Sequence, residues 1–369
     1  MIDRAIDCSV ADGFKPNLGV PVHMVRQNLR ATALGVVAAL VLFGGLIWFA
    51  GVDRLFSTLR GADLSLVAVI VLATLGWIAA WGLALRTVLD ALGVAFSPLQ
   101  SFFVFSAAMF SNNITPFGQA GGEPVTALLI SETSGAEYET SLAAIASVDT
   151  LNFVPSITIA LIGAGYFATQ VALGANRNIT VAIAAVVVLA LAVPTLLYAG
   201  WRSRDALEQR VVAWLTPAIR RVSGVLPRVS AVSETVVRNR IEGFFDGIER
   251  ITSKPRGLAL ALAFSALGWG CLMLSLWTAF QAIGTPIPAS VALFAVPIAA
   301  IAGVTPLPGG AGGIETVLVL LLVAAPLPTV TTPIALAAVV IYRGIVYWTP
   351  TLIGGVVVSV LGVNRFELL

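Results

Sequence analysis

Six stretches of this chain, about residues 31–51, 64–85, 139–168, 179–200, 257–283 and 333–361, are long and apolar enough to cross a bilayer as helices, a task that needs roughly 20 mainly apolar residues. No feature constrains the fold more. A lipid-embedded backbone must satisfy its own hydrogen bonds, so such a chain is confined to helices wherever it meets hydrocarbon. With 58% hydrophobic and 11% charged residues and a mean hydropathy of +0.96, there is too little polar surface to cover a soluble globule. A net charge of +2 gives no electrostatic case for nucleic acid as a partner. His23 is the only histidine, and Cys8 and Cys271 are isolated, so no metal site of ordinary ligand type and no cofactor is expected. The polar first 30 residues lack the basic start and apolar core of a cleaved signal peptide.

Two shorter apolar runs, 98–115 and 289–305, each enter a Gly/Pro-rich stretch, "NNITPFGQAGGEPV" at 112–125 and "TPLPGGAGGIET" at 305–316, before a second apolar piece at 124–131 or 316–325. Irregular backbone at membrane depth is tolerated where it packs in protein or lines a wet cavity. These segments therefore read as re-entrant hairpins, 98–131 and 289–325, with Pro-kinked spans as the plainer alternative. The polar stretch 201–256 carries eleven Arg or Lys against six Asp or Glu and is expected in the cytoplasm, as is the 1–30 tail with Arg4, Lys15, Arg26 and Arg30. Both ends lie inside only if the first hairpin returns to the cytoplasm. The second then dips in from the opposite face, and the C-terminus returns inside.

Thr115-Pro116 followed by Gly121-Gly122-Glu123 is echoed by Thr305-Pro306 followed by Gly312-Gly313-Ile314-Glu315. Interrupted helices at matching places in two halves point to a transporter's binding site. The expected architecture is thus an all-α polytopic membrane protein of about six full transmembrane helices plus two oppositely oriented re-entrant hairpins forming an inverted repeat. Its parts are a 1–30 tail, a first membrane half 31–200, a basic linker 201–256 and a second half 257–362. Within the linker, 206–222 suits a short interfacial helix that attracts anionic headgroups, or a solvated connection.

Ionisable residues at membrane depth are costly and usually face a cavity or a partner. Glu123, Asp149, Glu315 and Arg343 are such residues. At 1.5 Å per residue, Asp149 and Arg343 each lie about 15 Å into their spans, which predicts a midplane ion pair between them. Glu123 and Glu315 stand where an acid caps a following helix, a role compatible with contact to cargo. The candidate substrate-binding set is Asn112, Asn113, Gln119, Gly121, Gly122, Glu123, Asp149, Pro308, Gly309, Gly310, Gly312, Gly313, Glu315, Tyr342 and Arg343.

The "GQAGGE" at 118–123, the "PGGAGGIE" at 308–315 and the "YRGIVYWTPTLIGG" at 342–355 resemble the signatures of the lysylphosphatidylglycerol synthase transmembrane region family, from about residue 30 to 362. The resemblance implies a flippase-like membrane module that moves a polar-headgroup lipid, with phospholipids or polyprenyl-phosphate-linked intermediates as cargo. Two positions depart from the family pattern. Thr126 stands where a basic residue is frequent, and Asp149-Thr150 replaces an acid-arginine pair. Aminoacylated phosphatidylglycerol is therefore not assigned as the cargo, and no domain that would synthesise it is expected here. The expected localisation is the cell membrane with both termini cytoplasmic, the partners are membrane lipids, and homo-oligomerisation is left open. The rival reading is a membrane-embedded transferase using Glu123, Asp149 or Glu315 as general base. Against it stand the missing metal-ligand cluster and the lack of a histidine at depth, so the chain is read as a non-enzyme.

Overall fold

The computed structural model describes residues 57–115, 119–172, 253–304, 307–325 and 327–366, and among them every regular element is helical. The expected spans at 31–51 and 179–200, the 1–30 tail and nearly all of the 201–256 linker fall outside the described residues. The helices, in chain order, are α1 (Leu64–Ala91), α2 (Pro98–Ile114), α3 (Gln119–Ser134), α4 (Tyr138–Ala172), α5 (Pro255–Ala282), α6 (Ala289–Ile301), α7 (Gly313–Ala324) and α8 (Thr332–Phe366). Four of them, α1, α4, α5 and α8, are long and apolar enough to cross a membrane by length and composition. This is a multi-pass α-helical membrane protein.

Local sequence sets the helix starts. Asp63 caps α1, its Oδ1 accepting from the Ser65 N–H at 2.8 Å and hydroxyl at 2.6 Å, while exposed Ser65 bonding draws its carboxyl below the ordinary carboxylate range. Ser97 and Gln100 form a reciprocal capping box on α2, with Pro98 at its first position, an arrangement that satisfies two otherwise unpaired N–H groups. Helices α1 and α5 then lie side by side and antiparallel. The Asp63 N–H at the start of α1 donates to the Ala282 carbonyl at the end of α5 at 2.8 Å. At the other end, Lys254 Nζ donates to the Ala91 carbonyl at 2.9 Å.

This pair forms the centre of the core. Trp77, Trp81, Phe105 and Trp269 make a chain of edge-to-face contacts with centroids 5.5–6.4 Å apart, a geometry favoured by the aromatic quadrupole. The indole N–H of Trp81 donates to the Ser265 carbonyl (3.2 Å) and that of Trp269 to the Asn152 carbonyl (3.0 Å). Gly268 makes the approach of α1 and α5 feasible: a Cβ there would lie 2.1 Å from the Trp81 ring. Around this centre, α8 packs on α2 and α4 packs on α6. Each contact again turns on one glycine, since a Cβ at Gly354 would meet the Ser106 carbonyl oxygen at 2.1 Å and one at Gly163 would meet Leu293 Cβ at 2.5 Å. Large apolar side chains such as Leu72, Ile162, Leu267 and Leu352 cover the outside.

The two interruptions differ from the sequence expectation in one respect. In the first half α2 runs to Ile114 and α3 begins at Gln119. The "QAGGEPV" stretch at 119–125 is therefore helical, with Pro124 close enough to the start that few carbonyl bonds are lost. In the second half the break is longer, from Ala302 to Gly312, and holds two 3-10 turns, Ala302–Val304 and Pro308–Gly310.

Candidate functional site

The second break is built for glycine. Gly309, Gly310 and Gly312 have φ of 57°, 65° and 83°, a left-handed region closed at low cost only to residues without a Cβ. The turn they form hands the chain to α7, and Glu315, at the third position of that helix, reaches back so that its Oε2 accepts the Gly312 N–H at 2.7 Å. The cap expected of Glu315 is present. Its other oxygen is taken by Arg343, whose Nε donates to Oε1 at 2.7 Å while NH2 donates to the Gly309 carbonyl at 3.1 Å. One guanidinium thus holds both sides of the glycine turn, with Glu315 only 6% exposed. Pro308 is buried beneath it, and Gly313 opens α7.

Arg343 sits on a stripe of α8 that continues one and two turns on with Tyr347 and Thr351. The guanidinium lies 5.7 Å from the centre of the Tyr347 ring. Tyr347 OH donates to the Asn113 carbonyl at 2.9 Å, and Asn113 Nδ2 donates to Thr351 Oγ1 at 2.8 Å and to the Tyr347 carbonyl at 3.3 Å. Gly309 is wedged into this junction: a Cβ there would fall 2.6 Å from both Asn113 Oδ1 and the Tyr347 ring. The end of α2 in the first half is therefore tied directly to the glycine turn of the second.

Asn112, the preceding residue, faces the other glycine turn. Its Oδ1 presses on Gly122, where a Cβ would lie 1.8 Å from it. The turn that carries Gly122 is closed by the Thr126 hydroxyl donating to the Gly122 carbonyl (2.9 Å). Gln119 and Gly121 lie in the first turn of α3. Glu123, next along, meets Asp149 of α4, the two carboxyls within hydrogen-bonding reach. Two neighbouring asparagines at the end of α2 thus connect the two glycine turns.

The expected Asp149–Arg343 pair does not form. Each acts within its own half: Arg343 is committed to Glu315 and the Gly309 carbonyl, and Asp149 faces Glu123. The reason is local, since α7 and α8 are joined by a short connection that brings residues 315 and 343 together, and an arginine with two acceptors at hand has no need of a distant third. Tyr342, one residue from Arg343 and so about 100° around the helix, is buried in the apolar core with Leu336 and Val346. Tyr347 and Thr351 escaped the sequence reading, although their i+4 and i+8 spacing from Arg343 was the available signal.

The lysylphosphatidylglycerol synthase TM region matches the chain over residues 36–354, a span that includes both glycine turns and the Arg343–Thr351 stripe. The chain belongs to this family. It is also similar along nearly its whole length to UPF0104 membrane proteins: one of Pyrococcus horikoshii is 23% identical over 88% of this chain and 94% of its own length. One of Methanothermobacter thermautotrophicus is 26% identical over 89% of this chain and 93% of its own. A second from that organism is 25% identical over 91% and 97%. A lipid-related membrane role agrees with the family's description.

Proposed function

We propose that this member of the lysylphosphatidylglycerol synthase TM region family is a flippase-like translocator that moves a polar-headgroup lipid, a phospholipid or a polyprenyl-phosphate-linked intermediate, across the cell membrane. The observation that carries the reading is the meeting of two glycine turns at Asn112 and Asn113, each turn followed by a glutamate. A turn stripped of side chains lets backbone groups approach a headgroup, and the N-terminus of α7 offers amides to a phosphate. Inverted repeats gather such broken helices near the bilayer midplane.

Several features support a repeat. Leu64 and Pro255, Ala91 and Ala282, and Pro98 and Ala289, which bound equivalent helices, are each 191 residues apart, and so are the packing glycines Gly163 and Gly354. Equivalent helices α1 and α5 run antiparallel, and the α2–α8 contact between the halves has its counterpart in the α6–α4 contact, with the halves exchanged. With the spans at 31–51 and 179–200 this reading gives six crossings, two oppositely directed re-entrant hairpins and both termini in the cytoplasm.

Reconstituted in liposomes, the protein is expected to move fluorescent phosphatidylglycerol or polyprenyl phosphate between leaflets. Glu315→Gln, which retains the Gly312 cap, is expected to slow that movement strongly. The transferase reading finds its best support in the Glu123–Asp149 carboxyls, which resemble a general-base arrangement; turnover of a lipid-linked donor without transbilayer movement would favour it over translocation.

A further inference from the structure

In the second half the buried glutamate is neutralised by an arginine; in the first half the equivalent glutamate meets a second acid. Glu315 is held by Arg343, whereas Glu123 faces Asp149. Two carboxylates in contact in an apolar setting cannot both remain ionised, because their repulsion adds to the desolvation of each. The resolution is a cation between them, and the smallest is a proton shared by the pair, the arrangement that adjacent carboxyls adopt in aspartic proteases.

Among the described residues the surroundings supply no other cation. Helix α2, packed on α3, has no titratable residue. On α3 itself Glu132 lies nine residues further on, and on α4 Tyr138 and Glu139 lie eleven and ten residues before Asp149 and Tyr166 seventeen after it, which places all four about 13 Å or more away along their helices; Cys271 of α5, which also packs on α4, is not a cation. Helix α6, on the other side of α4, is also free of titratable residues. The cations on α1 and α5 are at one end of the bundle: Arg86 donates to the Phe96 carbonyl before α2 begins (2.7 Å) and pairs with Asp90, Lys254 is bound to Ala91, and Arg256 follows it on the first turn of α5. Phe96 precedes Asn112 by sixteen residues, about 24 Å of helix.

Independently, Asn112 points to a donor at this place. It is 8% exposed, its Oδ1 has no hydrogen-bond partner, and that oxygen lies against Gly122, beside Glu123. Buried acceptors are ordinarily paired. The oxygen is an open acceptor next to the carboxyl pair, where a water that brings the proton can donate.

We infer that Glu123 and Asp149 form a proton-binding site, next to the Gly122 turn on which Asn112 packs, that takes one proton from water as an O–H on one carboxyl hydrogen-bonded to the other and releases it during translocation. Only the last clause rests on the translocator reading. The site gives the first half a movable charge where the second half has a fixed one.

Infrared spectroscopy of the full chain in phosphatidylglycerol-containing nanodiscs tests the site. The parent is expected to show a carboxylic C=O band that persists at pH 7, shifts in deuterium oxide and is lost only at alkaline pH. Glu123→Gln and Asp149→Asn should each remove it, and Glu315→Gln should leave it. Absence of the band in the parent at pH 7, its survival in both variants, or its loss on adding sodium at constant pH would overturn the inference, the last by assigning a monovalent cation. Because the parent alone decides the first and third outcomes, a variant that fails to fold does not protect the idea. In liposomes an imposed pH gradient should raise the rate of phosphatidylglycerol movement severalfold in the parent and leave Asp149→Asn unchanged. Lipid movement indifferent to the gradient overturns the coupling; a persistent band with no movement of any lipid removes the translocator reading and leaves the proton site standing.

Discussion

Replacing Arg343 by methionine keeps most of the aliphatic volume and removes the guanidinium that binds Glu315 at 2.7 Å and the Gly309 carbonyl at 3.1 Å. The side chains of the pair are 11% and 8% exposed, so the stranded carboxylate has little access to water. Breaking such a pair from one side costs about 3–5 kcal/mol. Glu315→Gln added to Arg343→Met removes the stranded charge while its amide oxygen still accepts the Gly312 N–H. What then remains is chiefly the unpaired Gly309 carbonyl, about 1–3 kcal/mol. The double variant should accordingly be more stable than Arg343→Met alone. Unfolding in mixed micelles, followed by the fluorescence of the Trp77, Trp81 and Trp269 cluster, measures all four members of the cycle. Asp149→Asn combined with Arg343→Met should be additive within about 0.3–0.5 kcal/mol, as for uncoupled sites. If the Glu315→Gln, Arg343→Met protein is no more stable than the single arginine variant, the pair is not the fastener of the glycine turn.

Gly309→Ala forces a Cβ into a left-handed residue and against Asn113 and Tyr347, so a thermal melt should show a loss beyond the roughly 1–2 kcal/mol of the backbone conformation alone; an unchanged melting temperature refutes the wedge. Tyr347→Phe removes one hydrogen bond between the halves and should cost about 0.5–1.5 kcal/mol, with Asn113 showing faster hydrogen exchange at its neighbours. Gly354→Leu should separate α8 from α2 and Gly163→Leu should separate α4 from α6, each read as a fall in folded yield from the membrane fraction; a normal yield in either would contradict the packing. The folded Asp63 carboxyl lies below its ordinary value of 3.8 because Ser65 bonds its ionised form. That stabilisation is complete above the unfolded value and is lost as pH falls through the lower folded one, so Asp63→Asn, which can still cap α1, should flatten stability against pH only in the range below about pH 4.

Periodicity and hydropathy on their own decided that this is an α-helical membrane protein, because no other secondary structure is available to runs of apolar residues in lipid. The starts of α1, α5 and α8 fell within two residues of expectation, and the Gly/Pro interruptions with their two glutamates were visible as departures from greasy sequence. Glu315 as a helix cap was legible for the same reason: capping is a contact over three residues. What could not be read were the partners. Arg343 and Asp149 both sit deep in their helices, and opposite charge makes their pairing attractive on paper, but charge says nothing of which side chains the packing brings within 3 Å. The rotation of α8 against α7 and α2, fixed by Gly354 on Ser106 and by Gly309 beneath Tyr347, decided that Arg343 meets Glu315. The same packing set Asn112 and Asn113 between the two turns and left Glu123 facing Asp149. Electrostatic pairing acts over a few ångströms, and only the tertiary arrangement of the helices determines which charges come that close.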